Sequence, residues 1–147
     1  MKLKICMLLQ FPHYGGDMRI KPQIGICSYL TNFGHQVTWV IWSYERHQAE
    51  PFFFNDVLVY ITPWRQYSTD SFIFILASIP NRIMDTVRRM RCILAIFKKD
   101  KYNLILVRNS IFDGLLAIYI KRRYKITLVF ELSSPLEQEW ESFKIEQ

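Results

Sequence analysis

The sequence predicts an α/β fold, a Rossmann-like three-layer domain with a mostly parallel sheet. Three observations carry that reading. Five short runs of apolar, often β-branched residues fall near 3–9, 37–42, 57–62, 104–107 and 126–130, without the polar alternation of a sheet face turned to water. Segments with helical periodicity lie between most of them, and no internal repeat or linker interrupts the alternation.

The run 3–9 ends at Pro12 and Gly15-Gly16, and its length between breakers reads as a buried strand. Pro22 suits a first helical turn, Ile26, Cys27, Leu30 and Phe33 form an apolar stripe, and Gly34 closes the helix 21–33. Residues 37–42 are β-branched and aromatic, which reads as a second strand covered on both faces. Together these make a right-handed βαβ unit. A third strand, 57–62, stops at Pro63. Between residues 70 and 99 the pattern predicts two helical pieces broken near Pro80, because proline cannot continue the hydrogen-bond ladder behind it. In the second piece Ile83, Val87, Met90, Leu94 and Phe97 share the expected core face, with Arg82, Asp85, Arg88 and Arg89 opposite. After the strand 104–107, Ser110 and Asp113 resemble a capping box with Asp in place of Glu. Leu115, Leu116, Ile118 and Tyr119 are expected to pack one side of that helix, which ends on Lys121, Arg122 and Arg123, where the macrodipole favours cations. The last strand is 126–130. Beyond Pro135 the tail is acidic, with Trp140 and Phe143 interspersed.

Half of the 147 residues are apolar, with five Gly and six Pro, which excludes disordered and collagen-like chains. A chain of this length buries roughly 68–70% of its unfolded surface, so a single domain spanning 1–147 can build its own core. The net charge of +6 favours anionic partners. Cys6, Cys27 and Cys92 include no C-x-x-C pair, so reduced thiols in a cytoplasmic protein are expected. The longest apolar runs, 72–77 and 93–97, fall far short of the roughly 18 residues of a membrane span.

In an open parallel sheet, ligands bind at the carboxyl ends of the strands. Those ends carry three candidate segments: His13-Tyr14-Gly15-Gly16-Asp17, Arg108-Asn109-Ser110 and Glu131-Leu132-Ser133-Ser134. Paired glycines ahead of a helix let backbone N–H groups approach an anion, although a plain turn explains them equally well. Neither G-x-G-x-x-G nor G-x-x-x-x-G-K-[ST] occurs. Glu131 closes an apolar strand, where partial desolvation would raise its pKa toward that of a general base; pairing with a nearby arginine or capping of Ser133 or Ser134 is the alternative. Arg19 and Arg108 have the guanidinium geometry of a phosphate clamp. His35, after Gly34, reads as a turn residue. The three histidines lack metal-ligand spacing, so neither a metal nor another cofactor is expected. A basic face of Arg82, Arg88, Arg89, Arg91, Lys98 and Lys99 reads as solvated, or as a contact for acidic lipid at the inner face of a membrane. No recognition motif for nucleic acid accompanies the charge.

Four segments in order, KICMLLQFPHYGG (4–16), GHQVT (34–38), YNLILVRNS (102–110) and ITLVFELSSPLE (126–137), resemble the N-terminal domain of family 4 glycosyltransferases of the GT-B fold. The resemblance implies a retaining transfer of sugar from a nucleotide-sugar donor to an acceptor, without a metal, in a cleft between two Rossmann-like domains. It implies that this domain shapes the acceptor side and that Gly15 and Gly16 approach the donor phosphates. Glu131 stands where many members have a functional His, a departure that leaves a carboxylate to orient the donor sugar or an acceptor hydroxyl. The family's C-terminal, nucleotide-gripping domain with its E-x₇-E motif is absent from these residues. The chain alone is therefore expected to be inactive, with self-association through an exposed tail around Trp140 and Phe143. The alternatives are a stand-alone nucleotide- or phosphate-binding regulatory module and a peripheral membrane subunit.

Overall fold

The computed structural model describes residues 2–10, 21–43, 50–63, 72–108 and 110–131. Six strands and three helices follow in the order β1 (Lys4–Gln10), α1 (Lys21–Asn32), β2 (Gln36–Ser43), β3 (Phe52–Phe54), β4 (Val57–Pro63), α2 (Phe72–Lys99), β5 (Leu104–Arg108), α3 (Ile111–Tyr124) and β6 (Thr127–Glu131). They form one sheet of order β3-β4-β2-β1-β5-β6, parallel except where β3 meets β4. Because β1 is central, its side chains alternate between two cores. Ile5, Met7 and Leu9 pack with Cys27 of α1, whereas Cys6 and Leu8 pack with Ile93, Ile96 and Phe97 of α2 and Leu116, Ala117 and Ile120 of α3. The predicted three-layer α/β architecture is what the chain adopts, with α1 on one face and α2 and α3 on the other.

One strand escapes the sequence reading. β3 is three phenylalanines, too short for a periodicity signal, and it becomes a strand only because Asn55 and Asp56 turn it back onto β4. Both turn residues have positive φ, 47° and 62°, the pattern of a two-residue type I′ hairpin that Asn and Asp tolerate.

At α1 the sequence places the end well. Gly34, at φ 78°, lets its N–H reach the Thr31 carbonyl while the His35 N–H reaches Leu30, a Schellman closure. His35 then accepts a hydrogen bond from the Leu3 N–H at Nδ1. Only part of the expected stripe is inward: Cys27 is buried, but Ile26 and Phe33 are exposed, and Gln23 is enclosed instead. Trp39 Nε1 donates to Cys27 Sγ at 3.1 Å, and burial raises this thiol to about 11. All three cysteines are free.

The two helical pieces expected between residues 70 and 99 are one helix, with Pro80 inside it. Proline removes one hydrogen bond and crowds the preceding turn, about 3 kcal/mol, but tertiary packing of the later turns outweighs a local cost of that size. The expected facing holds in part: Phe97 is in the core, Leu94 packs against it and Arg88 is exposed. It fails for Ile83 and Met90, which are exposed, and for Asp85 and Arg89, which are buried.

Arg89 decides that rotation. It is 2% exposed, and Nε and Nη2 donate to the two carboxylate oxygens of Asp113 at 2.9 and 2.7 Å. Nη1 donates to Thr62 Oγ1 at 2.7 Å, Nη2 to the Val40 carbonyl at 3.2 Å, and the guanidinium carbon lies 4.8 Å from the Trp42 ring centre. Burial lowers the Arg89 pKa from its usual value, and the Asp113 carboxylate opposes that shift. One side chain thus joins α2, α3, β2 and β4.

α3 begins with half of the expected capping box. Ser110 Oγ accepts from the Asp113 N–H at 3.2 Å, while the Asp113 carboxylate turns to Arg89. The predicted packing side is wrong for three of its four residues: Leu115, Ile118 and Tyr119 face outward, and Asp113, Gly114, Leu116, Ala117 and Ile120 face inward. Gly114 leaves room for the Phe130 ring, which an added Cβ would overlap.

Arg89 also fixes how α2 lies along β1. Its Nη2 lies 3.4 Å from the Leu9 carbonyl near the carboxyl end of β1, and Lys4 Nζ at the other end pairs with Asp100 at 2.8 Å. Between those two levels the helix rises about 16 Å and the strand about the same. From residue 89 onward the helix therefore runs antiparallel alongside β1.

We expect Arg89→Met and Asp113→Leu each to cost about 3–5 kcal/mol in urea unfolding, because each strands a buried charge. The double variant should cost far less than the sum of the two, and additive losses would show that the ion pair is not the link between α2 and α3.

Candidate functional site

The sheet changes direction at β1. The β1–α1–β2 crossover lies on one face, and the β4–α2–β5 crossover carries the chain past β1 along the other, so the carboxyl edge between β1 and β5 is a topological switch point. Two of the predicted site residues meet at that edge. Arg108 and Glu131 are the last residues of β5 and β6 and stand opposite each other in register. Leu104 and Leu106 pack in the α1-side core, and period-two alternation puts Arg108 on that same face.

The contact between them is an ion pair, Arg108 Nε to Glu131 Oε1 at 3.4 Å, with side chains 18% and 33% exposed. Gln23, in the first turn of α1, donates from Nε2 to the same oxygen at 3.4 Å. Among the described residues Oε1 alone is engaged, which leaves Oε2 able to accept from a hydroxyl or an N–H. Gln23 is wholly buried, and its Oε1 has no hydrogen-bond partner. An enclosed carboxamide with an unsatisfied acceptor is costly, and it fits a position where a further donor completes the cluster.

The arginine partner that the sequence offered as the alternative for Glu131 is therefore present. Two donors on one oxygen orient the carboxylate, an arrangement suited to gripping a polar ligand group. Gln23 escaped the sequence reading because glutamine on a helix reads as solvent-facing. Its spacing to Cys27 and Leu30, i, i+4 and i+7, was the available signal. His13, Gly15, Gly16, Arg19, Asn109, Ser133 and Ser134 lie outside the described residues, as do Trp140 and Phe143. The segments that contain them nevertheless leave from this edge: 11–20 joins β1 to α1, Asn109 joins β5 to α3, and residue 132 follows β6.

A cavity of about 330 Å³ lies at the opposite end of the sheet, lined by Lys4, His35, Gln36, Thr38, Phe53 and Leu58 among others. It is at the amino ends of the strands, away from the switch point. Among the described residues no group of three His, Cys, Asp or Glu could hold a metal ion, and no helix is long and apolar enough to cross a membrane.

No protein-family model matches the chain, and no curated protein matches it. Solved structures do. A crystal structure of the glycosyltransferase of kitacinnamycin superposes with a TM-score of 0.56 at 15% identity, over 99% of this chain and 34% of that one. The calicheamicin glycosyltransferase CalG4 does so with a TM-score of 0.56 at 14% identity, over 97% of this chain and 37% of that one. The chain has the fold of a GT-B-like domain. It spans about a third of the length of these two enzymes. The C-terminal domain, residues 78–226, of PF1911 hydrogenase from Pyrococcus furiosus is also similar, with a TM-score of 0.58 at 14% identity over 90% of this chain and 93% of that one. At such identities the likeness is one of Rossmann-like fold.

The Arg108–Glu131 pair is partly exposed and long, so Glu131→Ala should change the unfolding free energy by less than about 1 kcal/mol in urea titrations. A loss comparable to that of Arg89→Met would make the pair a structural anchor.

Proposed function

We propose that the chain is the acceptor-side, N-terminal domain of a family 4-like glycosyltransferase, which moves a sugar from a nucleotide-sugar donor to an acceptor. The observation that carries the proposal is the convergence of Gln23, Arg108 and Glu131 at the switch point of a sheet whose fold glycosyltransferases share. In this reading the loop with Gly15 and Gly16 approaches the donor phosphates through backbone N–H groups. Glu131, oriented by Arg108 and Gln23, accepts a hydrogen bond from a hydroxyl of the donor sugar or the acceptor. His13, Arg19, Asn109, Ser133 and Ser134 are the further candidate ligand-binding residues. A second domain supplies the other wall and most of the grip on the nucleotide. Rate enhancement in such a cleft comes from holding both reactants in one geometry, which one wall cannot do.

The 147-residue chain by itself should therefore transfer no sugar and should bind uridine and guanosine diphosphate-sugars only weakly, with Kd above about 1 mM by calorimetric titration. Glu131→Ala should weaken that binding further. A second reading, a self-contained nucleotide- or phosphate-binding module, draws on the same switch point, where open parallel sheets collect ligands. Binding at or below about 10 μM without a companion domain would favour the module and overturn the half-cleft proposal.

A further inference from the structure

The outer surface of the α2–α3 layer segregates its charges. The two helices contain two acidic residues, Asp85 and Asp113, and both are buried. Their exposed charges are all positive: Arg88, Arg91, Lys98 and Lys99 on α2, and residues 121–123 with the C-cap Lys125 on α3. The same surface holds nine of the fifteen large hydrophobic side chains exposed among the described residues, a concentration that scattered surface residues do not produce. Ile83 and Met84 are exposed on α2; Phe112, Leu115 and Tyr119 form a stripe along α3, 55–63% exposed.

A solvated helical face intersperses acids with bases, and a nucleic-acid surface is polar and wet. Apolar side chains framed by cations alone, on helices that do not span, match the chemistry of an anionic lipid surface. There the apolar groups enter the acyl boundary, tyrosine sits at headgroup level, and Lys and Arg meet phosphates. We propose that the outer face of α2 and α3 docks on an anionic bilayer. Arg89 takes no part, because it is buried against Asp113. The proposal stands independently of the transferase reading.

The test is flotation of the full chain with vesicles of phosphatidylcholine alone and of phosphatidylcholine mixed with phosphatidylglycerol. Binding to the acidic vesicles should exceed binding to the neutral ones by about tenfold or more. Phe112→Ser with Leu115→Ser, and separately Arg91→Glu with Arg122→Glu, should each lower it by about tenfold or more while the circular dichroism spectrum is retained. These residues are on the surface, and if one pair of changes unfolds the chain the other carries the test. Equal binding to both vesicles, or undiminished binding by the folded charge-reversed variant, would overturn the proposal. So would absence of vesicle binding by a chain that instead retains duplex RNA, or that forms a dimer abolished by the Phe112 and Leu115 changes.

Discussion

A single buried guanidinium organises this domain. Arg89 satisfies the carboxylate of Asp113, the hydroxyl of Thr62 and the main-chain carbonyl of Val40, and it does so with 2% of its surface exposed. A charge in that position demands partners on several sides, since each donor left empty carries a desolvation penalty. The demand sets the rotation of α2, the place where α3 begins, and the packing of α2 against the carboxyl ends of β2 and β4. The outward facing of Ile83, Leu115 and Tyr119 follows from the same rotation, because the stripes that would otherwise have been buried are turned away when Arg89 and Asp113 turn in.

The two polar clusters at the carboxyl edge divide the work. On the α2–α3 face, Arg89 and Asp113 are sealed, bidentate and short, an arrangement that fixes structure. On the α1 face, Arg108 and Glu131 are longer and partly open, and among the described residues one carboxylate oxygen is held while the other accepts no bond. An enclosed, fully coordinated pair has nothing left to offer a ligand. Glu131, with Gln23 behind it, keeps hydrogen-bonding capacity among the described residues where a parallel sheet collects its ligands.

The errors in reading the helices share one cause. A helical wheel sorts residues by polarity, which works when the core is apolar throughout. It fails for α2 because the core contains an ion pair whose partner lies 24 residues away on another helix, a separation no local period can report. Gln23 was missed for a related reason: its partner, Glu131, is 108 residues distant. β3 was missed because its strand character comes from a neighbour, β4, and from a turn that two polar residues allow.

What the sequence determined by itself was the alternation of doubly covered strands with helices, the closure of α1 at Gly34, the serine cap of α3, and the edge at which Arg108 and Glu131 would be found. Each of these rests on residues within a few positions of one another, where breakers, caps and periodicity act. The tertiary structure decided which faces of α2 and α3 turn inward, whether Pro80 ends a helix, and which polar groups meet across the sheet. Those outcomes depend on long-range partners for buried charge, and the cost of leaving such a charge alone exceeds the local preferences that sequence patterns record.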